Sequence, residues 1–411
     1  MRTVEIINIV IVCLFFICYS YQFLYIPVAL ASHRAPHRPA RHKHTVAVLI
    51  AARNEQAVIG ELIDSIHAQD YPQELIDIYV GADNCTDCTA DAARSHGAQV
   101  FERSSRDGIG KGYVLDFILQ NLASLGRSYD AYIVIDADNI LDPHFISSIC
   151  GCMDEGYDIV TCYRNSKNYG DNWISAGCGL WFLRESRYLN GARATIGSSC
   201  AVSGTGFLFT RSALERCGGW NFFLLTEDIE FTIDNVVAGL KIGYCPEAVI
   251  YDEQPVTFGQ SWRQRMRWSR GYIQVFARYA GRLFGGIAHG SFSCYDMAMS
   301  IMPAAVLTGL SVVVNVGAAV ANLIQGGQWA ALGSSVGQTL LSLYLTLFVV
   351  GVITTITEWR SIRCSAVKKV FYTFTFPLFM LTFVPICIAA LFKNPGWQPI
   401  EHTRTLEKLT Q

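Results

Sequence analysis

Three stretches of this chain contain no Asp, Glu, Lys or Arg: residues 6–32, 297–357 and 370–392. They take up 111 of the 411 positions. A helical bilayer span needs about 20 apolar residues, so each stretch is long enough to cross, and a wholly soluble fold is excluded. All 66 charged side chains fall in the remaining 300 positions, about 22% of them. That is close to the roughly 25% of ordinary soluble domains. The chain therefore reads as a soluble domain of normal make-up held between membrane segments, not as a disordered or collagen-like polymer. Lys and Arg number 32 against 34 Asp and Glu, a net charge of −2. This lacks the basic excess of a nucleic-acid partner.

The first apolar stretch is longer than a signal-peptide core of about 7–15 residues, and no small-residue cleavage signal follows it. It reads as an uncleaved transmembrane helix over 1–32. Arg34, Arg38, Arg41 and Lys43 lie in the linker 33–44, and the positive-inside rule places that side, with the domain after it, in the cytoplasm. The second stretch fits two helices, 297–324 and 331–357, with Gln325-Gly-Gly-Gln328 as the turn between them. The loop 358–369 carries Arg360, Arg363, Lys368 and Lys369, again a cytoplasmic signature. Pro377 and Pro385 interrupt 370–392, which fits either a kinked crossing or a re-entrant element. The side taken by the tail 393–411 depends on that choice. The expectation is a multi-pass protein of the cell membrane with its soluble domain in the cytoplasm.

Of 14 cysteines, only Cys85 and Cys88 have zinc-ligand spacing, and no second pair matches them. Free thiols are expected in a reducing compartment.

From residue 45 the pattern alternates. Apolar runs at 46–50, 76–80, 99–101 and 131–135 read as strands, and amphipathic stretches at 58–68, 87–96 and 111–125 read as helices. Such alternation over 45–256 predicts an α/β domain with an open, mostly parallel sheet. Ligands of such sheets bind beyond the carboxyl ends of the strands, where the polar clusters 53–55, 83–87 and 136–138 fall.

Asp136-Ala-Asp138 follows the strand at 131–135. Paired carboxylates there can hold Mg²⁺ or Mn²⁺, which take their remaining ligands from diphosphate and water. Thr226-Glu227-Asp228 reads equally as a helix cap or as a general base. Gln264-Arg-Met-Arg-Trp268 lies in a stretch, 257–296, rich in aromatics and arginine, which fits amphipathic helices at a membrane surface. Arg267 could also serve as a bidentate phosphate ligand. Gly108-Ile-Gly-Lys111-Gly112 departs from a P-loop, because Ser105 stands at the first glycine position and Gly112 where Ser or Thr is required.

In that order, the Asp83 cluster, Asp136-x-Asp138, Thr226-Glu-Asp228 and the QxxRW pattern at 264–268 resemble the membrane-embedded, processive family 2 glycosyltransferases, the group of cellulose, chitin, hyaluronan and poly-N-acetylglucosamine synthases. The resemblance runs from about residue 46 to 285. It implies a GT-A domain combined with transmembrane and interfacial helices, and a UDP-sugar donor. Asp83 would contact the uridine, Lys111 would lie near the diphosphate, and Asp136 with Asp138 would hold nucleotide and metal. Asp228, beside Glu227, would be the base. Gln264 and Arg267 would bind the diphosphate, and Trp268 would stack under the acceptor sugar. Gly204, Thr205 and Gly206 match the turn that lines the acceptor site, and the tail at 397–403 loosely resembles the gating segment of related synthases.

The expected reaction is inverting transfer from a UDP-sugar, with N-acetylglucosamine favoured over glucose or a hyaluronan-like pair. The product would be a growing polysaccharide secreted through the membrane helices. Few helices are available for a channel, so a homo-oligomer or a small membrane subunit enters as partner. The alternatives are a single transfer onto a lipid phosphate, which the QxxRW pattern opposes, and a silent subunit, which intact Asp138, Asp228 and Arg267 oppose.

Overall fold

The computed structural model describes residues 2–32, 40–301, 310, 313–315, 317–318, 320, 324, 329–393, 395–396 and 402. Arg34 and Arg38, most of the segment 297–324, the turn at 325–328 and most of the tail, including all of 397–403 but His402, lie outside the described residues.

After α1 (Arg2–Ala31), the chain alternates β1 (Val46–Ala52), α2 (Ile59–His67), β2 (Ile76–Asp83), α3 (Thr89–Ser95), β3 (Gln99–Arg103), α4 (Lys111–Ser124) and β4 (Ala131–Asp136). Each element expected between 46 and 135 is present, with ends moved by one to three residues. β5 (Ile140–Leu141), α5 (Phe145–Met153), β6 (Ile159–Ser166) and α6 (Trp173–Arg184) follow; α6 runs through a π-helical turn, Glu185–Asn190, into α7 (Gly191–Thr195). Then come β7 (Phe207–Thr210), α8 (Arg211–Arg216), α9 (Glu227–Val237), β8 (Ile242–Asp252), α10 (Phe258–Ala288) and α11 (Phe292–Ile301). The last described helices are α12 (Trp329–Thr357), α13 (Ala366–Leu381) and α14 (Phe383–Phe392).

The eight strands form one sheet in the order β3-β2-β1-β4-β7-β6-β8-β5. β3, β2, β1 and β4 are mutually parallel, with Val46 facing both Ile76 and Ala131. β7 runs antiparallel to β4 and β6, while β8 returns parallel to β6. The sheet is covered on both faces, which is why its strands read as unbroken apolar runs. Val46, Val48 and Ile50 pack with Ile59, Leu62 and Ile63 of α2 on one face. Ala47 and Leu49 face the other side, with Val114 and Ile118 of α4 and Phe231 of α9.

Among the described residues three helices are long and apolar enough to cross a membrane: Ile9–Ala31, Leu340–Thr357 and Ala366–Phe392. The last breaks at Thr382 into α13 and α14, and α14 then lies along α10, where Arg270 donates to the Ala390 carbonyl at 3.3 Å. α1 is tied to the soluble domain by a buried polar knot. Arg193 forks onto both oxygens of Asp296 (2.6 and 3.0 Å), and Tyr21 and Tyr25 donate to the same carboxylate at 2.8 and 2.9 Å. Each lone pair used is matched to a donor, the condition for burying such a charge.

Candidate active site

The carboxyl ends of β1, β2 and β4 open into one cleft of about 200 Å³. Asp83, Lys111, Asp136, Asp138, Gly204, Glu227, Asp228, Gln264, Arg267 and Trp268 all line it. Thr205 and Gly206 sit beneath its wall. The Thr205 hydroxyl accepts from the Asp136 N–H at 2.9 Å and donates to Asn139 at 2.6 Å, and a side chain on Gly206 would overlap the Cys162 sulfur.

The turns leaving β1 and β2 each place an asparagine at positive φ, Asn54 at 59° and Asn84 at 50°. Asparagine is among the few side-chain-bearing residues that tolerate this region. Asn54 accepts from the Thr86 N–H at 2.8 Å, so the two turns brace each other. Asp83, at the end of β2, is buried and paired with Arg103 at 2.6 Å. Arg103 also donates to the carbonyl of Gly108 and so holds the loop before α4. Lys111 begins α4, pairs with Asp136 and donates to the Gly204 carbonyl at 2.8 Å. Gly112 is required next, because any Cβ there would overlap the Phe222 carbonyl oxygen.

Asp138 is buried and accepts the Glu253 N–H at 3.0 Å. Burial disfavours its charge, but His402, Lys167 and Arg164 nearby outweigh that and hold it below the usual carboxylate range. A deprotonated carboxylate beside Asp136, at a strand end facing a cleft, suits a hard divalent cation that needs few protein ligands. No cluster of three or more ligating side chains is found among the described residues.

Glu227 and Asp228 open α9. Thr226 stands at the N-cap, yet its hydroxyl makes no capping bond and has no hydrogen-bond partner, while Glu227 and Asp228 lie in the first turn. Burial, with Asp228 second, pushes Glu227 up to about 7. Burial also raises Asp228, against donors from Ile229 and Gly204 and the charge of Lys111. Glu230 holds the preceding loop by accepting from the Phe223 and Leu224 N–H groups at 2.9 and 3.0 Å.

α10 starts at a capping box in which Thr257 and Gln260 exchange hydrogen bonds. Gln264, Arg267, Trp268 and Gly271 lie at spacings of three and four, hence on one face. Gly271 lets that face close on α9, since a Cβ there would meet the Thr226 side chain at 2.5 Å. The Gln264 Oε1 atom is buried without a partner, and among the described residues Arg267 has no carboxylate within ion-pair distance. Both leave capacity for a ligand in the cleft. Arg265 faces away, donating to the Phe379 carbonyl at 3.2 Å and the Thr382 hydroxyl at 2.6 Å. It clamps α10 to the α13–α14 break.

Of three further cleft residues, Arg164 has no counterpart among the sequence candidates, while Glu55 and His402 fall within the cluster 53–55 and the tail segment 397–403. Arg164 bonds Asp252 at 2.6 Å and lies 3.6 Å above the Phe182 ring. His402 from the tail bonds both oxygens of Glu55 at 3.0 Å. Burial raises Glu55 to about 7; burial also opposes the His402 charge, but Asp138 and Glu55 raise it to about 10. All 14 cysteines are free.

A family model described as "Glycosyltransferase like family 2" matches residues 42–271. The chain is 28% identical over 242 residues to the beta-monoglucosyldiacylglycerol synthase of Synechocystis sp., covering 57% of this chain and 49% of that one. It is 24% identical over 251 residues to the poly-beta-1,6-N-acetyl-D-glucosamine synthase of Staphylococcus epidermidis, covering 57% and 56%. The chain thus spans about half the length of these curated relatives. Among solved structures, a Pyrobaculum calidifontis mannosyltransferase in complex with GDP-Man and Mn²⁺ superposes with a TM-score of 0.61 at 17% identity, over 93% of this chain and 98% of that one.

Proposed function

The chain belongs to glycosyltransferase family 2, and from that premise we propose that it is an inverting, metal-assisted β-glycosyltransferase with a UDP-sugar donor, working at the cytoplasmic face of a membrane. The observation that carries this is one cleft containing a raised carboxylate pair, Glu227 and Asp228, a strand-end carboxylate pair, Asp136 and Asp138, and Gln264 and Arg267 of α10. Single displacement needs a base for the acceptor hydroxyl and charge stabilisation on the departing diphosphate.

In this reading Asp228 takes the acceptor proton as the oxygen–anomeric carbon bond forms and the bond to the diphosphate breaks. UDP leaves, and an α-linked sugar becomes β-linked. Arg267 and Gln264 bind the diphosphate, Lys111 adds a positive charge beside it, and Asp83 orients the uridine. Asp136 and Asp138 would hold Mg²⁺ or Mn²⁺, which neutralises charge on the leaving group. Trp268, set edge-on to Phe182 at 5.8 Å, presents a ring to the acceptor.

Extension of a growing polysaccharide is supported by the QxxRW face and by the likeness to a poly-N-acetylglucosamine synthase. Transfer to a lipid hydroxyl is supported by the likeness to a glucosyldiacylglycerol synthase. The donor half of the reaction is common to both. It is tested by UDP release from nanodisc-held protein given UDP-N-acetylglucosamine, UDP-glucose, UDP-glucuronate or UDP-galactose with Mn²⁺ or Mg²⁺, with Asp228→Asn as control. Release by the wild type that the variant loses supports the reading; equal release by both overturns it.

A further inference from the structure

The loop that joins α12 to α13, residues 358–365, docks on the back of the β6–β8 pair. Side chains alternate from face to face along a strand. Arg164 of β6 and Asp252 of β8 bond each other at 2.6 Å on the cleft side. Their neighbours Tyr163, Asn165 and Tyr251 point the other way and line a cavity of about 150 Å³ that shares no lining residue with the catalytic cleft. β8 bulges here. Cys162 faces Cys245 but Tyr163 faces Val249, so Pro246, Glu247 and Ala248 are extra on that strand. Proline has no N–H to withhold from the ladder, which suits it to such a place. The bulge gives Pro246 to the cavity wall, and the loop closes it with Arg360, Ser361 and Arg363. Asn165 donates to the Ser361 carbonyl at 2.9 Å and so fixes the loop to the strand.

Four cations lie in and just after this loop, and they divide into two kinds. Lys368 donates to the Gly170 carbonyl at 2.7 Å and Lys369 to the Trp359 carbonyl at 2.6 Å. The arginines are not spent in this way. Arg363 donates to the Tyr251 hydroxyl at 2.8 Å and lies 4.2 Å from the centre of that ring. This fixes the guanidinium and leaves most of its five N–H donors. Arg360 is exposed, and among the described residues no carboxylate stands within ion-pair distance of either arginine. Tyr251 accepts from Arg363 and keeps its own proton to donate. No acidic side chain is among the described residues that line the cavity. Glu358, at the start of the loop, is buried and engaged: Tyr163 donates to it at 2.5 Å, Ser361 at 3.3 Å, and Arg187 pairs with it at 3.6 Å. Two planar cations and a hydroxyl with no acid among them are the complement of an oxyanion, and guanidinium groups match phosphate oxygens best. The space is about five times the ~30 Å³ that one water takes up in the liquid, room for a phosphoryl group and its first attached atoms.

We propose that this cavity binds a phosphate monoester or diester through Arg360, Arg363 and the Tyr251 hydroxyl, at a site separate from the one that holds the donor diphosphate. Two sources present that chemistry here. One is the headgroup of an anionic phospholipid, because α12 and α13 both contain candidate membrane spans and the cavity opens where their ends meet the soluble domain. The other is a soluble phosphorylated metabolite. No bond is made or broken at the site, and it stands independently of the transferase reading.

The test compares the full chain as wild type, Arg360→Gln and the double variant Arg360→Gln/Arg363→Gln. Arg360→Gln breaks no ion pair of the fold, so the single variant keeps the test decisive if the double one unfolds. In one arm, detergent-held protein is equilibrated with equal amounts of phosphatidylglycerol and phosphatidylcholine, and the retained lipid is read by native mass spectrometry. In the other, protein in phosphatidylcholine nanodiscs is titrated with glycerol 1-phosphate by calorimetry, and the difference between wild type and variant separates this site from the catalytic cleft. The wild type is expected to prefer phosphatidylglycerol or to bind glycerol 1-phosphate, and Arg360→Gln to weaken whichever is bound at least about tenfold. Binding in the first arm alone assigns the headgroup, binding in the second alone assigns the soluble phosphate, and binding in both assigns the phosphate group they share. Wild-type protein that binds neither probe, binding that both variants leave unchanged, or capture of an acidic peptide where neither phosphate probe binds would overturn the proposal.

Discussion

Glu227 and Asp228 are adjacent carboxylates in one enclosed cleft, and such a pair titrates as a unit. Burial raises both, Glu227 to about 7. A base must be ionised, so activity is lost as pH falls through the raised value of Asp228. The kcat/KM profile is expected to show an acid limb above the ordinary carboxylate range of about 4. Asp228→Asn removes the proton acceptor and lowers kcat by about 10²–10⁴-fold. It also removes the charge beside Glu227, so any residual limb moves to lower pH; pH–rate profiles of both proteins check this. Arg267→Ala forfeits charge-assisted hydrogen bonds of about 1.5–3 kcal/mol, expressed as a raised KM for the donor. Arg267→Lys recovers little, because a lysine cannot make the bidentate contact. These residues were legible because each lies in a short local pattern. Arg164 was not, because it matters through Asp252 and Phe182, and Glu55 was legible only as part of the cluster 53–55, because its partner His402 is brought near by the fold alone.

At the level of elements, two glycines set how closely the parts of the cleft approach. Gly112 admits the Phe222 carbonyl to the start of α4, and Gly271 admits Thr226 to α10. Gly112→Ala meets rigid backbone and is expected to lower the midpoint of thermal unfolding. Gly271→Ala meets a side chain and is expected to cost activity more than stability, measured as kcat against unfolding temperature. The sequence showed Gly112 only as a departure from the P-loop, and nothing local marks Gly271. The Arg193–Asp296 pair is a third device. Its side chains are 2% and 0% exposed, so Asp296→Ala leaves a buried cation unmatched and is expected to cost about 3–5 kcal/mol. Exchanging both residues for apolar ones recovers only part of that loss, because the Tyr21 and Tyr25 hydroxyls then lose their acceptor, as unfolding of the detergent-held variants will show. Asp296 was unreadable as a partner of α1, since Tyr21 and Tyr25 lie more than 270 positions away in sequence.

Across the whole molecule, the alternation from residue 46 to 135 was legible because a strand buried on both faces is apolar throughout and each intervening helix is amphipathic. The reversal of β7 between β4 and β6 was not, because a four-residue strand carries no sign of its direction. The stretch interrupted by Pro377 and Pro385 breaks at Thr382, with α14 turned along α10, a turn that the prolines alone did not specify. The cleft sits where this fold meets its membrane helices, so chelation is expected to abolish donor turnover and added Mn²⁺ or Mg²⁺ to restore it, read as UDP release. The central claim is inverting transfer with Asp228 as base, and the most direct measurement is the anomeric configuration of the product. An α-linked UDP-sugar is supplied to wild-type and Asp228→Asn protein in nanodiscs, and the new linkage is read by NMR. The account predicts a β-linkage from the wild type and none above background from a variant that still binds UDP. An α-linkage, or a β-linked product formed equally well by the variant, would contradict it.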